Sequence, residues 1–277
     1  VLNDGLSFLN VIALSIFIHS VVNNRYLGYF LFVVVLIANS FVWPALDVQS
    51  NLAIFNSTPS LTYSDMNGFG PFLLPVWSFN AYWALASLIL LAGALLYWVR
   101  GREQDFGIRT RLAQQRLKHV RPFLISLIVL WVACGGWLFY NTKVINTYQT
   151  SDQRELMQVN YEKMYKQYEM RPQPRTTSLD YHIELYPERR ALEVSCRQVL
   201  MNKHREAIDT LFFTLSPSYT SVIDLPGSQL LLMDTVQKFA MYQLFKPLLP
   251  GDSLEMNMSM KYCPVGVENE VSVTSIV

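Results

Sequence analysis

Four long apolar stretches dominate the first half of this 277-residue chain: Leu6 to Val22, Tyr26 to Leu46, Trp77 to Val99 and Pro122 to Tyr140. About 20 apolar residues at 1.5 Å rise cross the ~30 Å hydrocarbon core of a bilayer, where every backbone group must be satisfied internally. Each stretch is therefore expected to be a helix. The last three carry no charged side chain, whereas the first is shorter and carries His19. The fold class expected is a membrane α-helical bundle of about four spans, followed by an extracytoplasmic all-β domain, a sandwich or a curved antiparallel sheet.

Charge is segregated along the chain in a way a uniform soluble globule does not show. Up to Val99 the only basic residue is Arg25, while Arg100, Arg102, Arg109, Arg111, Arg116, Lys118 and Arg121 crowd between the third and fourth stretches. Residues 47–76 contain no Lys or Arg. Short Lys/Arg-rich loops stay in the cytoplasm, so residues 100–121 are read as a basic inner loop, 47–76 as an outer loop, and the chain after Tyr140 as extracytoplasmic. The net charge of +1 averages two environments, and no basic face interleaved with aromatics argues for nucleic acid as a partner.

Several local features have two readings. The basic loop is topogenic, with anionic lipid or a cytoplasmic ATPase as alternative contacts. In Ala133-Cys134-Gly135-Gly136 small residues mark close helix packing more often than a pore. His19, with no carboxylate in its span, reads as an interfacial packing residue rather than a proton or metal ligand. The outer loop from Asn56 to Pro71 is dense in turn formers, and is either functional or a surface-packed cover. Asn56-Ser57-Thr58 formally matches a glycosylation acceptor.

Past the fourth stretch, Thr150 to Asp152 offer N-caps, and Met157, Tyr161, Met164, Tyr165 and Tyr168 fall on one helical stripe. That stripe suits either the membrane interface or packing on the β domain. Pro172 and Pro174 end the helix, making residues 147–177 a juxtamembrane helix and connector between the membrane part (1–146) and the β domain (178–277). Alternation then takes over, with Leu179, Tyr181, Ile183 and Leu185 on one face, Leu192, Val194, Cys196 and Leu200 on the next strand, and Leu254, Met256, Met258, Met260 and Tyr262 near the end. These are expected to be half-buried antiparallel strands, six or more in number. Val271 to Val277 reads as a further strand.

No catalytic, cofactor-binding or metal residue emerges from the sequence. His19, His119, His182 and His204 lack the spacing of a helical zinc site, and no phosphate loop or nucleophile triad is present. His182 and Glu184 share a strand face, which an exposed polar surface explains better than a metal. Cys196 and Cys263 are read as separate thiols in preference to a disulfide. With no initiator Met and no signal peptide, the chain is expected to be an internal segment of a longer protein.

The chain resembles bacterial ABC-type transporter permease proteins fused to an aminopeptidase N-like zinc metallopeptidase. The likeness rests on Asn24-Arg25-Tyr26-Leu27-Gly28-Tyr29, Ser57-Thr58-Pro59-Ser60, Tyr63-Ser64-Asp65-Met66-Asn67-Gly68-Phe69-Gly70, Gly136-Trp137-Leu138-Phe139-Tyr140-Asn141-Thr142, Tyr161-Glu162-Lys163 and Pro172-Gln173-Pro174-Arg175. In the strands it rests on Tyr186-Pro187-Glu188-Arg189-Arg190 and Leu249-Pro250-Gly251-Asp252. The resemblance implies an incomplete N-terminal β domain of the peptidase type, with zinc and the catalytic motifs in a domain this segment lacks. Gly266-Val267-Glu268-Asn269 only echoes the family's substrate motif and reads as a turn. The function implied is a membrane-anchoring, substrate-cleft-shaping segment of a membrane-bound zinc aminopeptidase-like protein acting on peptides at the bacterial inner membrane, with its C-terminal domain periplasmic. The alternative is an ABC-type permease subunit with an extracytoplasmic sensing domain and an ATPase partner. A third reading is an anchor and interaction module without chemistry.

Overall fold

The computed structural model describes residues 2–22, 24–61, 63, 65, 68–98, 106–146, 149–189, 191–263 and 265–269. Arg100, Arg102, Glu103, Asp105, Arg190 and the strand-like run Val271 to Val277 lie outside the described residues. The chain divides into two compact units. The first runs to Ser151 and takes in the later segment from Val265, and the second holds Asp152 up to Pro264.

The first unit is built on α1 (Leu2–Val21), α2 (Arg25–Ala45), α3 (Leu73–Tyr97) and α4 (Phe106–Phe139), the last continued by a π-helical turn over Tyr140–Ile145. All four helices are long and apolar enough to cross a membrane. α2 starts where Asn24 accepts from the backbone N–H of Tyr26 at 2.9 Å and of Leu27 at 3.5 Å, an N-cap that satisfies two orphan donors. α4 begins at Phe106, so the part of the basic loop from Phe106 to Arg121 is the opening of the fourth helix, with Pro122 inside it.

α3 packs against both α1 and α4, and α2 packs on α1. Each contact has a glycine facing a ring of the neighbouring helix: Gly28 under the His19 ring, Gly93 under Phe17, and Gly135 against Tyr82, where an added Cβ would lie 2.9 Å from Tyr82 Cε2. This supports the packing reading of Ala133 to Gly136, since a side chain at 135 would force α3 and α4 apart. Tyr82 stacks on Trp131 across that contact at a ring separation of 5.3 Å.

The basic end of this unit is closed by arginines. Arg109 is buried and donates to the carbonyls of Ser20 and Val21 at the end of α1 and of Tyr97 at the end of α3. Arg116 donates to Leu95, Leu96 and Trp98. Two side chains of α4 thus cap the orphan carbonyls of its neighbours, where the helix dipoles also favour a cation.

The second unit comprises α5 (Ser151–Tyr165, counted from its second residue) and seven strands: β1 (Arg175–Tyr186), β2 (Ala191–Met201), β3 (Ile208–Thr214), β4 (Thr220–Asp224), β5 (Ser228–Asp234), β6 (Phe239–Leu248) and β7 (Ser253–Tyr262). They form two antiparallel sheets, ordered β1-β2-β7-β4 and β3-β6-β5. One core, including Leu200, Leu211, Ala240, Tyr242, Leu248 and Met256, draws from both sheets. β7 keeps the expected alternation, with Met256 and Tyr262 buried and Glu255, Asn257, Ser259 and Lys261 exposed. β1 does not. All twelve of its residues are exposed, because it is the outer strand of its sheet and nothing among the described residues covers Leu179, Tyr181, Ile183 and Leu185.

Candidate functional site at the asparagine-lined end of the helical unit

Opposite the basic end, α1 begins, α2 and α4 finish, and the segment Asp47 to Leu61 folds over α3. The hydrogen bonds that join its parts are made largely by asparagine amides and serine hydroxyls. Asn10 accepts from Ser87 Oγ at 2.8 Å and donates to Asn56 Oδ1 at 2.9 Å, and Asn80 donates to Asn3 Oδ1 at 2.7 Å, so α1 is tied by buried and half-buried amides both to α3 and to the covering segment. Such amides are costly to bury unless satisfied, and once satisfied they fix one arrangement of the helices.

The covering segment is gripped by its backbone. Asn39 of α2 accepts from Phe55 N–H at 3.0 Å and donates to Phe55 O at 3.2 Å. Trp83 Nε1 donates to the carbonyls of Asn51 and Ser57 at 3.2 and 3.0 Å. Asn56 holds a positive φ of 62° and directs its Nδ2 to the Ser7 hydroxyl and carbonyl at 2.6 and 3.2 Å. The acceptor nitrogen of the formal glycosylation motif is therefore turned inward and engaged, and residues 51–57, which overlap only the start of the turn-rich run from Asn56, form a packed cover.

Into this end comes Val265 to Asn269. Asn146 Nδ2 donates to the carbonyls of Val265 and Val267 at 2.8 and 3.1 Å, and Asn141 Oδ1 accepts from Val267 N–H at 3.3 Å. Asn51 donates its backbone N–H to Asn269 Oδ1 at 2.9 Å and its Nδ2 to Asn269 O at 2.6 Å, while Asn269 Nδ2 reaches Gln49 O at 3.2 Å. Val267 is fully buried against Phe79, Tyr82, Trp83 and Leu138. Gly266 has φ +75°, and a Cβ there would overlap Asn141 Oδ1. Only glycine meets both conditions.

The π-helical turn sets up this grip. Asn141 and Thr142 bond back to the carbonyls of Trp137 and Leu138 at 2.8 and 2.9 Å, satisfying backbone that the wider turn loosens, and Asn141 Oδ1 is left aimed at Val267 N–H. The sequence showed Gly266 to Asn269 as a turn. A bend is present, but the signal that marks a docking segment, asparagines scattered far along the chain, has no periodicity to find.

Elsewhere the structure answers the sequence readings directly. His19 Nδ1 lies 2.9 Å from Ser15 O, its ring packs edge-on to Tyr29 at 4.8 Å, and Nε2 has no partner among the described residues, so the histidine sits in the contact of α1 with α2. His182 and Glu184 are exposed neighbours 3.4 Å apart, with Glu184 also accepting from Tyr186 at 2.7 Å. The Tyr186 hydroxyl and His182 hold the Glu184 carboxyl below its usual range. No group of three His, Cys, Asp or Glu residues suited to a metal occurs among the described residues. Cys134, Cys196 and Cys263 are all free thiols.

The tyrosine stripe of α5, continued through a 3-10 turn over Lys166–Tyr168, packs on the β unit, the second of its two readings. Tyr165 stacks on Phe239 at 4.0 Å, Tyr168 on Phe212 at 4.9 Å, and Tyr165 donates to Asp234 Oδ2 at 2.5 Å. Beside them is an open cavity of about 450 Å³ rimmed by Glu162, Lys166 and Glu169. Burial, reinforced by the Asp234 carboxylate, pushes the Tyr165 hydroxyl up to about 12.

Comparison of the chain with protein-family models, curated proteins and solved structures returned no match.

Proposed function

We propose that this chain is a membrane-anchoring and display segment: its four spans hold the β unit on the extracytoplasmic face of a bacterial inner membrane. The observation that carries the reading lies within the helical unit itself. The chain leaves that unit at Ser151, which bonds to Gln49, and re-enters it at Val265, bonded to Asn146. Both crossings are at the asparagine-lined end, and the cations Arg109, Arg111, Arg116, Lys118 and Arg121 lie in the half of α4 away from it. Cations of this kind favour the cytoplasmic side. The resemblance set out above supports placing the anchor in a peptidase-type parent, with the β unit as a wall of a peptide cleft and zinc held in a further domain.

Reporter fusions test the sidedness. A phosphatase that needs export should be active when fused after Tyr140 and inactive near Gln114, and a cytoplasmic fluorescent reporter should show the reverse. Activity near Gln114 alone defeats the proposal.

A second reading, a permease subunit that docks an ATPase, draws on one observation. Arg111, Lys118 and Arg121 are exposed and fall on one side of α4, separate from the buried Arg109. Charge reversal at Arg111 and Lys118 that removes a co-purifying ATPase, with the bundle still folded, favours this reading over the first. Arg109 is not a fair probe for docking, because its guanidinium closes the bundle.

A further inference from the structure

The seat of Val265 to Asn269 reads a peptide by its main chain. Its contacts go to the carbonyls of Val265, Val267 and Asn269 and to the N–H of Val267. One side chain, Val267, enters an apolar pocket, while Val265 stays 56% exposed. These contacts select for a glycine, an aliphatic anchor and a carboxamide two residues beyond it. Main-chain bonds with one anchored side chain are how extended peptides are held in clefts.

Two of the three asparagines that grip the segment, Asn51 and Asn141, are also held without it. Asn51 is fixed through its Oδ1 by Ser57 and through its carbonyl by Trp83, Asn141 through Trp137 O, Phe55 through Asn39, and Asn56 through Ser7 and Asn10. A cleft whose ligating groups are already oriented loses little entropy on binding. We infer that this end of the helical unit is a peptide-acceptor site for an extended segment of the pattern Gly–aliphatic–Glu–Asn from a second polypeptide, and that Val265 to Asn269 is the resident ligand occupying it in cis. The inference rests on the proposed function for one thing only, that the seat faces the extracytoplasmic side from which such a peptide arrives.

The test uses the full chain in detergent, where sidedness has no bearing, so its failure and that of the reporter fusions are separate events. Gly266→Ala brings a Cβ onto Asn141 Oδ1 at a positive φ and ejects the cis segment while leaving the walls unchanged. A fluorescent peptide with the sequence of residues 263–270, carrying Cys263→Ser, is titrated by anisotropy. Binding to G266A should be saturable and at least about tenfold tighter than to the unaltered chain, whose own segment competes at an effective concentration in the millimolar range. A peptide carrying V267D, or a chain carrying G266A with Asn51→Ala, should lose about tenfold or more, since each removes a central contact. Equal binding to G266A and the unaltered chain, or undiminished binding of the V267D peptide, overturns the inference. Should G266A lose its helical fold, Asn269→Ala, which surrenders only the side-chain bonds to Asn51 N–H and Gln49 O, takes its place with the same readings. Should that variant also unfold, a peptide with a photoreactive group at the Val267 position must label residues 79–83 of the unaltered chain, and absence of label sinks the idea.

Discussion

At the scale of single residues, identical letters carry different physics, and helical phase decides which. Arg109 and Arg111 stand two apart in the same basic run, yet Arg109 is 5% exposed and bonded to three helix-end carbonyls, while Arg111 is exposed. Arg109→Ala leaves those carbonyls without their donor, at a cost of about 3 kcal/mol or more, whereas Arg111→Ala should stay within about 0.5 kcal/mol. Thermal unfolding of the two variants in one detergent measures the difference, and equal melting temperatures would remove the closing role given to Arg109. The paired glycines divide in the same way. Gly135→Val should cost about 1–3 kcal/mol by pressing on Tyr82, while Gly136, with nothing within 4 Å, accepts Val at little cost in the same assay. Sequence spacing alone could not separate these pairs. Residues 106–121 carry too many cations to read as the opening of a membrane helix, and without the helix there is no phase to assign.

At the scale of elements, the spans and the alternating strands were legible because length and period are local properties, while what covers a face is not. β7 and β1 have equally regular alternation, but β7 lies between β2 and β4 and buries Met256, whereas β1 has one neighbour and exposes Tyr181 and Ile183. The α5 stripe shows the same limit: period 3.6 put its tyrosines on one face, and the partners Phe212 and Phe239 lie on strands far along the chain. The docking of α5 has a pH signature. Folding raises the Tyr165 hydroxyl from its ordinary 10.0 to about 12, so its contribution is full below pH 10 and is lost as pH rises from there towards 12. The hydrogen bond from Tyr165 lowers the Asp234 carboxyl from its ordinary 3.8, so that contribution is present above about pH 3.8 and fades as pH falls below it. Melting temperature followed from pH 9 to 12 should decline, and Tyr165→Phe should flatten that decline. An unchanged slope in Y165F would mean that other groups govern the alkaline limb.

At the scale of the whole molecule, nothing in the order of residues hints that the helical unit is discontinuous, with Val265 to Asn269 returning to it after the β unit. A return of this kind changes how the chain responds to being cut. If the seat holds its segment by Asn51, Asn141, Asn146 and the burial of Val267, a protease site inserted between Gln149 and Thr150 severs the covalent path from the helices to the rest of the chain but not this non-covalent one. The downstream fragment then remains joined to the helices through the seat. Burying Val267 contributes about 1.5–3 kcal/mol, and net hydrogen bonds add about 1 kcal/mol each. Asn51, Asn141 and Asn146 supply five such bonds to the segment. A sum of that size corresponds to a dissociation constant of about micromolar or weaker, so the cut chain is run at concentrations well above it. After cleavage of the unaltered chain in detergent, the two fragments should co-elute on size exclusion, and in G266A they should part. Separation of the unaltered fragments, or co-elution that ignores G266A, would show that the seat does not carry the connection, and the reading of this end as the clamp on the chain's second crossing would fall with it.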